Sequence, residues 1–149
     1  MNAEAGLDMF LPGLLAWPDG QSGPRLCASQ CTGCGRHAFP PMEICSECYC
    51  TMIPVLLSGT GVIYSHTTVR VKPPLELPRP YKVAYIDLTE VPLRLFGLLD
   101  PEPGYEYRIG ERVNLQVREL GVDMSGKRCL RPVFLPAEEA AVSSGPKQA

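Results

Sequence analysis

The chain has 149 residues, 45% of them hydrophobic and 20% charged, with a formal net charge of −2. That is apolar material for one packed domain, or for a small module on a larger one, and it excludes wholesale disorder. Sixteen prolines and fourteen glycines favour short strands and frequent turns over long helices.

The N-terminus reads Met-Asn-Ala-Glu-Ala-Gly-Leu-Asp, with no basic region ahead of an apolar stretch. No secretory signal is read there, and no apolar run approaches the ~20 residues of a membrane-crossing helix. A cytoplasmic, reducing location is expected, with no membrane association. Seven cysteines, an odd number, then point to metal binding rather than to a disulfide framework. Residues 1–26 are expected to form an arm. Its apolar run, Met9 to Trp17, is broken by Pro12 and Gly13, so any helix is short. The arm either docks on another surface or packs on its own domain. Trp17-Pro18-Asp19-Gly20 reads as a turn, followed by polar Gln21 to Pro24.

Residues 27–52 carry the strongest signal. Cys31 and Cys34, then Cys45 and Cys48, form two C-x-x-C pairs ten residues apart. Each pair can bend into a knuckle presenting two thiolates, and two knuckles complete a tetrahedron around one ion. Gly33 and Gly35 supply backbone freedom in the first knuckle. Zinc is the expected occupant, one per chain, although iron takes the same all-thiolate site. Four protein ligands leave no position for water, so the metal is expected to be structural. Cys27 and Cys50 fall outside the spacing and are read as bystanders that could replace a ligand, as could His37. Cys129, within a strand, is read as a small apolar residue.

From residue 53 to 135 the pattern is β. Gly59–Val71 is rich in Val, Ile, Tyr and Thr. Simple alternation puts Ile63, Ser65, Thr67, Val69 and Val71 on one face and Val62, Tyr64, His66, Thr68 and Arg70 on the other. Tyr81–Thr89 and Pro92–Leu99 follow, with Glu90-Val91 leaving room only for a tight hairpin. Glu111–Glu119 alternates: Val113, Leu115 and Val117 in, Arg112, Asn114, Gln116 and Arg118 out. Arg128–Leu135 is the fifth strand. The tail, 136–149, is expected to be partly helical or disordered. Five strands hide their edges best as a small closed barrel. The fold expected is therefore mainly β: an arm and a four-cysteine zinc ribbon, then a five-stranded OB-fold barrel, with a β-sandwich or SH3-like barrel as the weaker alternatives.

No nucleophile–base–carboxylate constellation, P-loop or dinucleotide fingerprint is present. His66 could serve as a base, but no partner for it stands nearby in sequence. Between the first two barrel strands, Arg70, Lys72, Arg79 and Lys82 border the proline-rich stretch Pro73-Pro74 to Pro78 and Pro80. This is either a solvated loop or a lip for an anionic ligand, such as the phosphates of a nucleotide or of coenzyme A. Residues 1–50 hold two Lys/Arg against five Asp/Glu, and residues 51–135 eleven against nine. With aromatics at 7%, a nucleic-acid platform is disfavoured, and no nucleic acid is expected among the partners.

Taken in order, Cys31-Thr32-Gly33-Cys34-Gly35, Phe39-Pro40-Pro41 and Cys45-Ser46-Glu47-Cys48 lead into Ser58-Gly59-Thr60-Gly61-Val62-Ile63-Tyr64-Ser65-His66-Thr67. Pro80 to Leu88 and Ile109-Gly110-Glu111-Arg112-Val113 follow. Over residues 12–135 this order resembles the DUF35 family, a rubredoxin-like zinc ribbon joined to an OB-fold. Two departures are Tyr49, where a glycine often follows the second knuckle, and Gln30, where a basic residue often precedes the first. The resemblance implies a non-catalytic accessory subunit of a thiolase-fold enzyme, or alternatively of an acyl-CoA hydratase or aldolase. The ribbon would dock on the catalytic partner, and the barrel would help form the channel for a substrate linked to coenzyme A.

Overall fold

The computed structural model describes residues 7–18, 23–101 and 105–137. Four short strands form the first sheet: β1 (Leu15–Ala16), β2 (Arg25–Cys31), β3 (His37–Ala38) and β4 (Met52–Leu57). β2 is central. It pairs antiparallel with β4 from Leu26↔Leu57 to Cys31↔Met52, and its other edge is shared by β1 and β3. Along β2, Leu26, Ala28 and Cys31 turn inward.

Five further strands close into a barrel in the order β5-β6-β7-β9-β8. They are β5 (Gly61–Val69), β6 (Tyr81–Leu88), β7 (Arg94–Leu99), β8 (Arg112–Val122) and β9 (Arg128–Pro136). A single 3-10 turn, Pro74–Glu76, lies in the loop between β5 and β6. β7 and β9 are parallel, Leu98↔Val133, and the remaining neighbours are antiparallel. Closure between β5 and β8 rests on a short pairing, Gly61↔Val113 and Val62↔Arg112. A Cβ on Gly61 would lie 2.4 Å from Ile86 Cγ2, so only glycine permits this approach. Each of the five strands expected from sequence is present, but β6 ends at Leu88 and β7 begins at Arg94, so residues 89–93 connect them rather than the expected pair Glu90-Val91.

The ribbon sheet and the barrel share one core. Leu26, Ala28 and Leu57 of the sheet are buried with Ile63, Ile86, Leu95, Leu99, Val113, Leu115 and Phe134 of the barrel. A separate small cluster, Cys31, Cys45 and Met52 with Ala38, lies at the knuckles. The arm packs on its own chain. Met9 makes a parallel bridge to Leu130, the Phe10 N–H donates to the Leu130 carbonyl, and the Leu130 N–H donates to the Asp8 carbonyl. The Arg131 guanidinium covers the Phe10 ring at 3.9 Å. Asp19, Gly20 and nearly all of the tail lie outside the described residues. No helix among the described residues is long and apolar enough to cross a membrane.

Candidate metal centre

β2 ends at Cys31 and β4 begins at Met52, so their pairing brings the start of the first cysteine loop against the end of the second. The loops repeat one design. The Cys31 N–H donates to Arg36 O at 2.8 Å and the Gly35 N–H to Cys31 O at 3.2 Å. In the second loop the Cys45 N–H donates to Cys50 O at 2.9 Å and the Tyr49 N–H to Cys45 O at 3.0 Å. Each knuckle needs a left-handed residue after its second cysteine. That residue is Gly35 at φ 80 in one and Tyr49 at φ 63 in the other.

The sulfurs are thereby turned inward. Cys31 Sγ accepts the Gly33 and Cys34 N–H groups at 3.2 and 3.4 Å, and Cys45 Sγ accepts the Glu47 N–H at 3.4 Å. Sγ separations are 3.3 Å for Cys31–Cys48 and 3.8 Å for Cys34–Cys45, and all four sulfurs lie within 4.8 Å of one another. A tetrahedron of thiolates ~2.3 Å from zinc has edges of about 3.8 Å, so the donor set and its size fit that ion. His37 pairs with Gln30 in β3, and the convergent group consists of the four cysteines.

Charge is distributed by the same symmetry. Cys31 and Cys45 are buried, whereas Cys34 and Cys48 are exposed. The backbone N–H of Cys34, with that of Gly33, holds the Cys31 thiol down to about 6. The N–H groups of Cys48 and Glu47 likewise lower Cys45. Cys34 goes the other way: the Arg36 N–H favours its thiolate, but burial and the three neighbouring sulfurs together push it up. Cys48 rises too, the Cys50 N–H being outweighed by Cys31, burial and the Cys50 side chain. The backbone thus favours the thiolate at two sulfurs, and the other two lack a counter-charge, which a cation held by the four would supply. Burial raises the thiols of Cys27 and Cys129, consistent with small apolar residues.

On the barrel, a recess of about 360 Å³ is lined by His66, Thr68, Arg70, Pro80, Lys82, Glu106 and Tyr107. A β-bulge creates this lining. Ile63 faces Ile86, but the next pair is Ser65↔Tyr85, leaving Tyr64 extra. Beyond the bulge the faces exchange, so His66 pairs with buried Ala84 and Thr68 with Lys82 on the inward side. Simple alternation, which put Ser65, Thr67 and Val69 with Ile63, is therefore corrected after residue 63. Of the four basic candidates, Arg70 and Lys82 line the recess. Lys82 Nζ donates to Tyr105 O at 2.8 Å and lies 5.7 Å from the centre of the Tyr107 ring. Arg79 instead donates to Arg70 O at 3.2 Å, and Lys72 is exposed on the loop. Thr68, Glu106 and Tyr107 were not singled out by sequence reasoning. No pattern within β5 alone reveals the bulge that turns Thr68 inward.

Two exposed apolar areas accompany these sites. Around the second knuckle and β4, Met42, Ile44, Tyr49 and Ile53 are solvent-facing, Tyr49 to 75%. On the outer barrel wall Tyr85 and Phe96 pair with ring centres 5.2 Å apart, and Arg94 stacks 3.5 Å from the centre of the Tyr64 ring.

Residues 54–118 match the family described by the C-terminal OB-fold domain of ChsH2. Among solved structures, one described as an Ltp2-ChsH2(DUF35) aldolase is 32% identical, covering 76% of this chain and 85% of that chain, with a TM-score of 0.60. A DUF35-family protein of unknown function from Sulfolobus solfataricus is 15% identical over 72% of this chain and 75% of its own, with a TM-score of 0.47. No curated protein matches.

Proposed function

Because the chain belongs to the DUF35 family, we propose that it is the non-catalytic accessory subunit of an enzyme acting on coenzyme A thioesters. The ribbon, stapled by zinc on Cys31, Cys34, Cys45 and Cys48, docks on a thiolase-fold catalytic subunit in a hetero-oligomer. The barrel mouth helps form the acyl-CoA channel. The reaction of the complex is cleavage of a β-ketoacyl-CoA or the reverse condensation. The observation carrying this reading is the 32% identity to the DUF35 component of an aldolase over three quarters of the chain. The closed four-sulfur site supports it: with no coordination position left for water, a bound ion organises the fold rather than reacting. Exposed Met42, Ile44 and Tyr49 beside the knuckle supply the apolar, aromatic material of a docking surface.

The aldolase in that structure's description favours a second reading, in which the partner performs aldol cleavage of a β-hydroxyacyl-CoA. Chemistry separates the two. Thiolytic cleavage consumes one free CoA thiol per turnover, and aldol cleavage releases a carbonyl compound without consuming any. We expect the chain to co-purify with a co-expressed thiolase-fold neighbour and to have no activity alone. A chain that elutes by itself would defeat the proposal, and a thiol assay on the complex chooses between the two reactions. In either complex, we assign contact with CoA phosphates to Arg70 and Lys82, which line the recess, and a lesser contribution to Lys72 and Arg79 on the lip.

A further inference from the structure

The second knuckle carries a thiol that the first lacks. By the repeated hydrogen bonds, Cys31 corresponds to Cys45, Cys34 to Cys48, Gly35 to Tyr49 and Arg36 to Cys50. Arg36 turns outward, its guanidinium 4.0 Å from Glu47. At the matching position stands Cys50, an exposed free thiol two residues after Cys48. Both sulfurs crowd the same backbone point: a Cβ built on Gly33 would lie 2.7 Å from Cys50 Sγ and 3.4 Å from Cys48 Sγ. Gly33 thus leaves open the seat that Cys50 occupies at the edge of the four-sulfur group. Cys48 is the ligand beside it, and Cys48 is exposed, whereas Cys31 and Cys45 are buried.

We propose that Cys50 is an alternate fourth ligand of the metal centre, exchanging with Cys48 while Cys31, Cys34 and Cys45 stay in place. The inference rests on the zinc reading of the four-cysteine site. In the exchange one metal–sulfur bond forms to Cys50 and one breaks from Cys48, and the thiol proton of Cys50 passes to the released Cys48 sulfur. Charge and ligand number are unchanged, so the exchange needs no redox partner. The neighbouring knuckle has no equivalent, because Cys34 is followed by Gly35 and Arg36. The consequence is a centre with three fixed corners and one mobile one, which keeps its metal when either exposed sulfur of the second knuckle is modified.

Cobalt(II) is the probe, since its thiolate charge-transfer and d–d absorption reports the number of sulfur ligands. Wild type, Cys34→Ser, Cys48→Ser, Cys50→Ser and the Cys48→Ser/Cys50→Ser double variant are loaded as full chains. We expect Cys48→Ser and Cys50→Ser each to hold one cobalt per chain with the wild-type spectrum. Cys34→Ser and the double variant should lose the four-thiolate signature. Cys48→Ser behaving like the double variant overturns the exchange. A wild type that binds no cobalt or zinc overturns the metal reading itself. Independently of whether the variants fold, zinc-loaded wild type is treated with iodoacetamide and its intact mass and peptides are mapped. Zinc retained by chains alkylated at Cys48 as well as by those alkylated at Cys50 supports exchange. Zinc lost by every chain alkylated at Cys48 refutes it.

Discussion

Gly35 and Tyr49 hold the same left-handed conformation in the two knuckles, at φ 80 and φ 63, but only glycine does so without steric cost. For tyrosine the penalty is roughly 1–2 kcal/mol. A tyrosine that holds a strained backbone while exposed to 75% suits a contact with a partner. Tyr49→Gly is therefore expected to leave the isolated chain as stable or more so by about 1 kcal/mol, yet to weaken the complex several-fold in pull-down titrations. Cys34→Ser should do the reverse, harming both. Zinc binding can supply ~10 kcal/mol of folding free energy, comparable with a whole domain's ~5–15 kcal/mol. We expect loss of zinc by elemental analysis, an unfolded ribbon and no complex. At the barrel mouth, Arg70→Ala should raise the partner enzyme's KM for its CoA substrate several-fold with kcat little changed, as for a contact made equally in ground and transition states. Lys72→Ala and Arg79→Ala should have smaller effects, since neither lines the recess.

Among the elements, the β8–β9 hairpin shows how a turn holds two long strands in register. Asp123 Oδ1 accepts the Ser125 N–H at 2.8 Å, the Ser125 hydroxyl at 2.7 Å and the Lys127 N–H at 3.0 Å, and Gly126 takes φ 90. The Ser125 hydroxyl first, then the Lys127 N–H, holds the Asp123 carboxyl below its usual range. A depressed carboxylate adds stability above its unfolded pKa of about 3.9, and that stability is lost as pH falls through the lower folded value. Asp123→Ala should thus lower Tm at neutral pH, and its difference from wild type should shrink below about pH 4. A difference that persists at pH 2 would mean that the carboxylate's charge is not what matters. β5 makes its contribution through irregularity. The extra residue at Tyr64 turns His66, Thr68 and Arg70 toward the recess, and without it they would face outward.

At the scale of the molecule, ribbon and barrel are not two bodies on a string. Leu26, Ala28 and Leu57 lie in the same buried cluster as Ile63, Ile86 and Leu115, so disorder in the ribbon sheet uncovers one side of the barrel. Each of the leucine and isoleucine side chains represents roughly 1.5–3 kcal/mol of burial. Chelation of zinc is accordingly expected to lower the Tm of the entire chain as one transition. Calorimetry showing a barrel transition unmoved by chelator would demonstrate that the shared cluster does not couple them.

The four-cysteine site was legible from sequence because its information is local: two short loops whose spacing alone sets which sulfurs converge. The five barrel strands were legible for a similar reason, since alternation and turn residues act over a few neighbours. The strands carrying the ribbon, β2 and β4, were not recognised, because short stretches such as Arg25–Cys31 become strands through long-range pairing with each other. The face presented by β5 was misread past Ile63 because a bulge exists only relative to the partner strand. The sequence by itself thus determined that the chain gathers four thiolates ahead of a β-barrel. Only the tertiary structure decided that the Cys50 and Cys48 sulfurs both lie beside Gly33, and that His66, Thr68, Arg70 and Lys82 share one recess. Both arrangements follow from register and close approach between distant segments, to which spacing along the chain is blind.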